Sequence, residues 1–406
     1  MTRYRVAVVA ACPFRYPRGT PVRIFRTADA LARRGHDVHV VTYHLGESEP
    51  AERFAVHRIP NVRTYRKYSP GPTWQKLALV DSLLAVQLAR VLSKHRIDVV
   101  HAHHIEGLLV ALAACVGRSL PVVFDAHTIL ESELPFYPLG VSGRAKAWLG
   151  RTLDRWLPRR AAHVIAVTDD VERRLLALAP SMVGRTSVIA SGVELEQFDL
   201  RADQRPPATD AKTLVYTGNL AAYQGIDLML RAFAELRRRR TDVRLRIVSE
   251  SPFDPYDSLT AALGVRGAID VVACGFDEVP RHLAEATVAL HPRTSCDGLP
   301  QKLLNYMAAG RPVVSFAGSA KDLTHERLGL VVEDGDVYGF AGAIGRLLDD
   351  QALARALGEN ARAFVRAERS WERAAELTEQ VYERVTGRRQ PHAADTRPVG
   401  SSAIAG

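Results

Sequence analysis

The residues of this chain that are best suited to chemistry lie in one stretch, Gly298–Val314, which reads GLPQKLLNYMAAGRPVV. Its apolar residues have helical spacing, so the sequence predicts a helix that starts near Pro300 and ends at Gly310, with a buried strand from Pro312 onward. A helix that follows a glycine turn presents unpaired backbone N–H groups and the positive end of its dipole. The stretch is therefore suited to bind an anion such as a diphosphate.

That helix needs sheets to position it, and the chain contains two copies of one β-loop-α-β pattern. The first copy starts with the strand Tyr4–Ala10 and the second with the strand Leu214–Thr217. The helices and strands that follow are predicted at Val22–Arg34, Val38–Thr42, Ile226–Arg239 and Val243–Val248. Such crossovers require parallel strands with covering helices. Continued alternation of strands and helices predicts two doubly wound α/β sheets, with a ligand cleft at the carboxyl ends of their strands.

Composition limits the classes of function. The 406 residues suffice for roughly two to three domains, and the 47% apolar content is ordinary for a globular protein. No run of about 18 uncharged apolar residues occurs, and the apolar start is too short for a signal peptide, so we expect a cytoplasmic protein. Four widely spaced cysteines predict free thiols. The net charge of +9 permits phosphates, anionic lipids or nucleic acid without selecting among them.

A polar segment with two prolines, residues 199–212, predicts a linker between an N-terminal domain, 1–198, and a C-terminal domain, 213–368. A final helix is predicted over residues 369–386. The tail, 387–406, lacks periodicity, so we expect it to be disordered.

Six segments, in order, resemble glycosyltransferase family 4, whose members are retaining enzymes of the GT-B fold. They are ALARRGHDVHVVT (Ala30–Thr42), DVVHAHHIEG (Asp98–Gly107), PVVFDAHT (Pro121–Thr128), VIASGVELEQF (Val188–Phe198), LVYTGNLAAYQGIDLMLRAF (Leu214–Phe233) and HPRTSCDGLPQKLLNYMAAGRPVV (His291–Val314). The resemblance implies an α/β GT-B fold, with two doubly wound Rossmann-like domains facing each other across a cleft. It also implies an acceptor-binding first domain, a donor-binding second domain and a last helix that crosses back to the first.

The chain departs from the family pattern where the donor is expected to bind. The family's Glu-x7-Glu pair, which contacts the donor sugar and the ribose, becomes Asp297 and Asn305. Its GR-x4-KG motif, which grips the diphosphate, becomes GN-x4-QG with Asn219 and Gln224. Losing two cations would weaken donor binding by roughly several kcal/mol, because charge-assisted hydrogen bonds are about twice as strong as neutral ones.

Arg293 and Lys302 flank the start of the predicted helix and are candidates to replace the missing cations. The alternative explanations are a surface salt bridge for Arg293 and a solvated helix residue for Lys302. The resemblance thus implies one set of donor-binding residues. They are Gly218, Asn219, Gln224, Arg293, Gly298, Leu299, Pro300, Lys302 and Asn305.

The catalytic candidates are His127 and Asp297. His127 matches the family's active-site histidine and follows a strand, although a buried core histidine is the alternative explanation. His101, His103 and His104 cluster on the preceding strand, but no Cys or Glu stands at metal-ligand spacing, so we expect no metal. Candidates for acceptor binding are Arg18, Gly19, Thr20, His103 and Glu106.

Two basic, aromatic stretches of the first half, Arg63–Lys76 and Ser142–Arg160, have two possible explanations. In the second stretch, Leu149, Leu153, Trp156 and Leu157 share one helical face. Such a helix lies at an anionic membrane surface or packs its apolar face on its own sheet. The membrane explanation predicts a peripheral position at the inner face of the membrane and a lipid-linked acceptor.

The sequence thus predicts a retaining, hexosyltransferase-type glycosyltransferase that moves a sugar from a nucleotide-diphosphate donor to a glycan or lipid-linked acceptor. We expect a role in envelope or exopolysaccharide synthesis, with no cofactor and no nucleic-acid partner. Asn305 leaves open a lipid-phosphate sugar as donor. The replaced cations leave open a protein of this fold with a non-catalytic binding or assembly role.

Overall fold

The computed structural model describes residues 3–14, 19–46, 53–68, 71–137, 140–199, 212–296 and 299–388. The strands are β1 Arg5–Ala10, β2 Asp37–Thr42, β3 Ala55–Arg58, β4 Val99–His103, β5 Val122–Ala126, β6 His163–Ala166, β7 Thr186–Val188, β8 Lys212–Thr217, β9 Val243–Val248, β10 Ile269–Val272, β11 Val288–His291, β12 Val313–Phe316 and β13 Leu330–Val332. The α-helices are α1 Gly19–Arg33, α2 Asp81–Lys94, α3 His104–Ala114, α4 Leu130–Glu133, α5 Gly143–Trp156, α6 Asp169–Leu178, α7 Leu195–Phe198, α8 Ile226–Arg239, α9 Asp257–Ala262, α10 Val279–Glu285, α11 Gln301–Ala308, α12 Ala317–Ala320, α13 Val337–Asp349, α14 Gln351–Glu368 and α15 Trp371–Thr386.

The chain forms two compact units. Unit 1 comprises residues 1–165, 175–187 and 375–406, and unit 2 comprises residues 166–174 and 188–374. Each unit has one parallel sheet, with strand order β3-β2-β1-β4-β5-β6-β7 in the first and β10-β9-β8-β11-β12-β13 in the second. Both orders reverse direction next to the first strand, at β1 and β4 in one sheet and at β8 and β11 in the other. In open α/β sheets, ligands bind beyond the carboxyl ends of the strands at such a reversal.

The strands are almost continuously apolar because helices cover both faces of a parallel sheet. In β1 every residue from Val6 to Ala10 is buried, and β4, β5 and β12 are buried throughout. The predicted ends of α8 and β9 are confirmed. Helix α1 begins at Gly19 rather than at the predicted Val22, because a proline such as Pro21 fits the first turn of a helix.

The part of the last helix, α15, from Ala375 onward belongs to unit 1. Glu379 receives hydrogen bonds from Arg34 Nε at 2.6 Å and Arg34 Nη2 at 2.7 Å, and the Tyr382 hydroxyl lies 2.7 Å from His101 Nδ1. The predicted linker falls largely, and the predicted tail almost entirely, outside the described residues. The domain boundaries stay a prediction.

Two expectations about the chain as a whole can be compared with the structure. No helix among the described residues is both long and apolar enough to cross a bilayer. The four cysteines all belong to the described residues and form no disulfide, as predicted.

Candidate functional site

Unit 1 contains a cavity of about 510 Å³ at the carboxyl ends of its strands. Its walls include Ala11–Pro13 after β1, Tyr43 after β2, His104–Glu106 after β4 and His127 after β5. The cavity therefore lies at the reversal of strand order, where this fold class binds ligands. Tyr65 and Tyr137 add aromatic surface to the wall.

Histidines and a threonine meet at one side of this cavity. Thr20 Oγ1 lies 2.6 Å from His104 Nε2 and 3.3 Å from His127 Nδ1. The other nitrogen of His127, Nε2, lies 3.1 Å from Nδ1 of the buried His103. The His104 and His127 rings stack with centroids 4.4 Å apart. The first turn of α1 and the ends of β4 and β5 thus converge on His127.

A buried ion pair, Arg23–Asp125, lies next to these histidines. Arg23 Nη2 contacts Asp125 Oδ2 at 3.0 Å, and both side chains are almost completely buried. The other oxygen, Asp125 Oδ1, lies 3.5 Å from His127 Nε2. Burial, followed by the neighbouring His104, holds the pKa of His127 well below its usual range, so its imidazole is neutral. The principal partner of Asp125 is Arg23.

Backbone strain makes His104 a candidate functional residue. It has φ = +60° although it is not glycine, and it begins α3 at the cavity wall. Left-handed backbone at a residue other than glycine costs about 1–3 kcal/mol and concentrates at functional sites. His104 was predicted to belong to a histidine cluster but was not among the predicted site residues.

Glu106, an acceptor-binding candidate, lies in the cavity wall but is already paired. Lys76 Nζ lies 2.8 Å from Glu106 Oε1, and both side chains are largely buried. Burial favours the neutral acid, but Lys76 outweighs this effect and lowers the pKa of Glu106 to about 2. Glu106 is therefore an anion paired with Lys76 in the cavity wall.

In unit 2, the loops after β8 and β11 meet at the second reversal of strand order. Gly225 has φ = +71° and ends the first loop, where a Cβ would collide with the carbonyl oxygen of Pro292. From α11, Lys302 reaches back to the first loop. Its Nζ donates to the Tyr216 hydroxyl at 2.7 Å and to Gln224 Oε1 at 2.8 Å. Gly218 has φ = +122°, a backbone conformation that favours glycine, and a Cβ there would lie 2.8 Å from the same ammonium.

The Lys302 ammonium has neutral hydrogen-bond partners, and no salt bridge to a carboxylate joins it among the described residues. Burial, aided by Arg293, lowers its pKa to about 7. Arg293 itself donates to the carbonyl of Ser295, and its guanidinium lies 5.0 Å from the Tyr223 ring centre. Asn219 Oδ1 accepts from Gln224 Nε2 at 3.3 Å, so the two neutral replacements bond to each other.

The structure brings together some of the predicted site residues. Gly218, Asn219, Gln224 and Lys302 form one cluster, and Thr20, His103 and His127 form another. Pro300 caps α11 as predicted, and Leu299 precedes it. Asn305 is buried on α11, and Gly19 is the first residue of α1. Arg18, Asp297 and Gly298 lie outside the described residues.

Sequence reasoning missed Arg23, Lys76 as the partner of Glu106, and the tyrosines of the cavity wall. Arg23 is an ordinary helical residue in the sequence, and only the packing of α1 against β5 gives it a role. No Cys or Glu was predicted at metal-ligand spacing, and Asp125, a third type of ligand on the next strand, has a carboxylate oxygen within 4.8 Å of a ring nitrogen of His101 and of His103.

Comparisons with known proteins agree with this geometry. The profile of Glycosyltransferase Family 4 matches residues 17–197, and that of Glycosyl transferases group 1 matches residues 211–350. The chain is 29% identical over 419 aligned positions, 93% of each chain, to a D-inositol 3-phosphate glycosyltransferase of Kineococcus radiotolerans.

Two solved structures share the fold. Sucrose-phosphate synthase from Thermosynechococcus elongatus is 20% identical with a TM-score of 0.73, covering 95% of this chain and 100% of its own. HepE of Anabaena, solved with UDP and glucose, is 16% identical with a TM-score of 0.68, covering 93% of this chain and 99% of its own. These likenesses confirm the predicted GT-B fold, in which each unit is a doubly wound Rossmann-like domain.

Proposed function

The chain belongs to glycosyltransferase family 4, and from that premise we propose that it is a retaining glycosyltransferase that uses a nucleotide-diphosphate sugar. The acceptor is a glycan or lipid-linked molecule of envelope or exopolysaccharide synthesis. Unit 2 binds the donor, and the cavity of unit 1 binds the acceptor.

The observation that carries this proposal is the ammonium of Lys302. It stands at the reversal of strand order in unit 2, beside Gly218 and at the first turn of α11. A partly buried cation with neutral partners binds an anion strongly, because the anion replaces lost hydration. Lys302 therefore takes over the diphosphate contact of the lysine that Gln224 replaces, and it uses Gln224 as its support.

The transfer that we propose needs no protein nucleophile. The bond between the anomeric carbon and the diphosphate oxygen breaks, and the acceptor hydroxyl attacks from the same face. Its proton passes to the departing phosphate oxygen. Lys302 stabilises the charge that grows on the diphosphate, and neutral His127 donates a hydrogen bond to the sugar or accepts one from it.

Helix α5 supports the proposal of a lipid-linked acceptor, because its polar side faces inward. Lys146, Gly150 and Asp154 are its buried residues. The ammonium of Lys146 donates to the carbonyls of Pro135 and Tyr137, each at 2.7 Å. The carboxylate of Asp154 accepts from the backbone N–H groups of residues 130 and 131 at 3.2 and 2.8 Å.

Part of the apolar side of α5 is exposed to solvent within unit 1. Trp148 is 69% exposed and Trp156 is 55% exposed, and Phe136 of the neighbouring segment is 86% exposed. Arg155 and Arg159 lie over the Trp156 ring, with Cζ 5.7 and 5.0 Å from its centre. Leu149 of the predicted apolar face is 42% exposed, whereas Leu153 and Leu157 of that face are half-buried, and fixed hydrogen bonds hold the polar side of the helix inward. Exposed tryptophans among arginines suit an anionic bilayer surface.

A donor panel tests the proposed reaction. We expect UDP-, GDP- or dTDP-sugars of one nucleotide class to raise the melting temperature of the full chain, with the rise lost in Asp297→Ala and Lys302→Ala. Product from the active donor should retain the anomeric configuration in its ¹H NMR couplings. An inverted product would exclude the retaining mechanism. If no nucleotide sugar stabilises the protein, the donor is a lipid-phosphate sugar or the protein has a binding or assembly role.

Vesicle sedimentation tests the proposed membrane surface. Vesicles of phosphatidylglycerol and phosphatidylcholine should bind the wild type, and binding should fall with salt. The double variant Trp148→Ser, Trp156→Ser should lose this binding. Phe276→Ser, which alters an exposed aromatic residue of unit 2, is the control and should bind like the wild type. Equal sedimentation of all three proteins would refute the membrane surface.

A further inference from the structure

Three histidines converge in unit 1 at a place that the proposed reaction does not use. His39 lies on β2, His57 lies on β3 and His95 caps the end of α2. One ligand nitrogen from each lies within 4.8 Å of the other two. None of these histidines lines the cavity of unit 1.

The local fold explains the convergence. Strands β2 and β3 are parallel, with His39 opposite Ala55 and Val41 opposite His57. Because side chains alternate along a strand, His39 and His57 lie diagonally on the same face of the sheet. Helix α2 leads into β4 and ends at His95, whose ring centre lies 4.2 Å from that of His39.

The spacing of the nitrogens resembles that of two ligands on one ion. His39 Nδ1 lies 3.0 Å from His57 Nε2. Two nitrogens bound tetrahedrally to zinc, with bonds of about 2.0–2.1 Å, are about 3.3 Å apart. On its other side, His39 Nε2 lies 3.3 Å from Asp37 Oδ1. The geometry forms no hydrogen bond between these two atoms, so Asp37 contributes negative charge beside the ring.

We propose that His39, His57 and His95 bind one divalent transition-metal ion, with Zn²⁺ as the representative ion. Imidazole is a preferred ligand of zinc, nickel and copper. The ion would tie β3, the edge strand of its sheet, to β2 and to the end of α2. Its role would be structural, because the site lies away from the cavity.

The charges of the neighbours are compatible with this ion. Arg5 and Lys94 are the nearby cations, and both are exposed to solvent that screens them.

The second group of candidate ligands in unit 1 fits a metal less well. His101, His103 and Asp125 also lie within 4.8 Å of one another. The Arg23 guanidinium already forms hydrogen bonds with both oxygens of Asp125, at 3.3 and 3.0 Å. A divalent cation there would have to displace or face a buried positive charge.

Thermal unfolding of the metal-stripped full chain tests the proposal. Zn²⁺ or Ni²⁺ at about 100 times the dissociation constant should raise the melting temperature by roughly 5–10 °C, whereas Mg²⁺, which prefers oxygen ligands, should not. Elemental analysis after dialysis should find one zinc per chain. His57→Gln and His95→Gln should each abolish the shift, and His282→Gln in unit 2 should retain it.

Two results would overturn this site. One is a zinc shift that survives in His57→Gln and His95→Gln but is lost in His103→Gln, which would place the ion beside Asp125. The other is the absence of any shift with zinc or nickel. Glycosyl transfer by folded His95→Gln should equal that of the wild type, so failure of the metal site is distinguishable from failure of the proposed reaction.

Discussion

Lys76 of unit 1 and Lys302 of unit 2 are both desolvated lysines at a reversal of strand order, and their surroundings differ. Lys76 lies 2.8 Å from Glu106, which raises its pKa although burial opposes the charge. Lys302 bonds to a phenol and an amide, and burial lowers its pKa to about 7. The first lysine is paired with an anion of the protein, whereas the second has neutral hydrogen-bond partners among the described residues.

This contrast extends to the rest of each site. In unit 1, the positive Arg23 is paired with the negative Asp125, so the buried charges beside the cavity histidines balance each other. In unit 2, Arg293 and Lys302 both border the loop that follows β11, and burial together with Arg293 lowers the pKa of Lys302. A balanced site suits a neutral acceptor, and an unbalanced cationic site suits a diphosphate.

Replacing Lys76 and replacing Lys302 should change the free energy of unfolding by very different amounts. Lys76→Met leaves Glu106 buried without its partner and should cost about 3–5 kcal/mol in the free energy of unfolding. Lys302→Met removes a poorly solvated charge and should change that free energy by less than about 1 kcal/mol. Urea unfolding followed by circular dichroism measures both. Equal losses would show that the two lysines do not differ as described.

Replacing His127 tests whether the site beside the Arg23–Asp125 pair serves the reaction. His127→Ala should lower kcat by at least about 100-fold, because a positioned hydrogen-bonding group is lost while the Arg23–Asp125 pair remains. The measurement is initial rate with the donor found in the panel. His325→Ala, an exposed histidine of unit 2, should retain the wild-type rate. Full activity in His127→Ala would remove this residue from the site.

The pKa of Lys302 predicts a smaller, pH-dependent effect. The ammonium is charged below pH 7 and loses its proton as the pH rises through about 7. Affinity for a nucleoside diphosphate should therefore fall from pH 7 to pH 9, by at most about tenfold per pH unit. The unfolded lysine keeps its proton up to about pH 10.4, so Lys302 should make the folded state more stable as pH rises across this window. Titrations of Lys302→Met should lack this pH dependence.

The smallest effect is expected at His104. Asparagine tolerates left-handed backbone better than most residues, so His104→Asn should change the free energy of unfolding by less than about 1 kcal/mol. It removes the ring that stacks on His127, so transfer should slow more than stability changes. Rate and unfolding measurements on one preparation separate the two effects. Loss of stability without loss of rate would assign His104 a purely structural role.

The strands and long helices were predictable because hydrophobic periodicity determines them. Helix α8 and strand β9 have the predicted ends, since an amphipathic helix and an apolar run each have clear limits. The first helix was placed late, because Pro21 looks like a boundary when it is part of the first turn. Pattern reasoning treats proline as a breaker, and the helix start is the place where that rule fails.

The site was predictable only where contacts are local or where the family resemblance supplied them. His127 and Lys302 stand at strand or helix ends and were identified from that position. The pairs Arg23–Asp125 and Lys76–Glu106 join residues 102 and 30 positions apart, and no periodicity connects them. The inward polar face of α5 could not be predicted either, because hydrophobicity alone points the opposite face inward.

Isothermal titration calorimetry tests whether Lys302 binds the donor diphosphate. The wild type, Lys302→Met and Lys212→Met are each titrated with the nucleoside diphosphate of the active donor. Lys212 is a surface lysine of unit 2 paired with Asp242 and serves as the control. We predict that Lys302→Met weakens binding roughly 10- to 150-fold, about 1.5–3 kcal/mol, while Lys212→Met binds like the wild type. Wild-type affinity in Lys302→Met would contradict the assignment of Lys302 as the cation that binds the donor diphosphate.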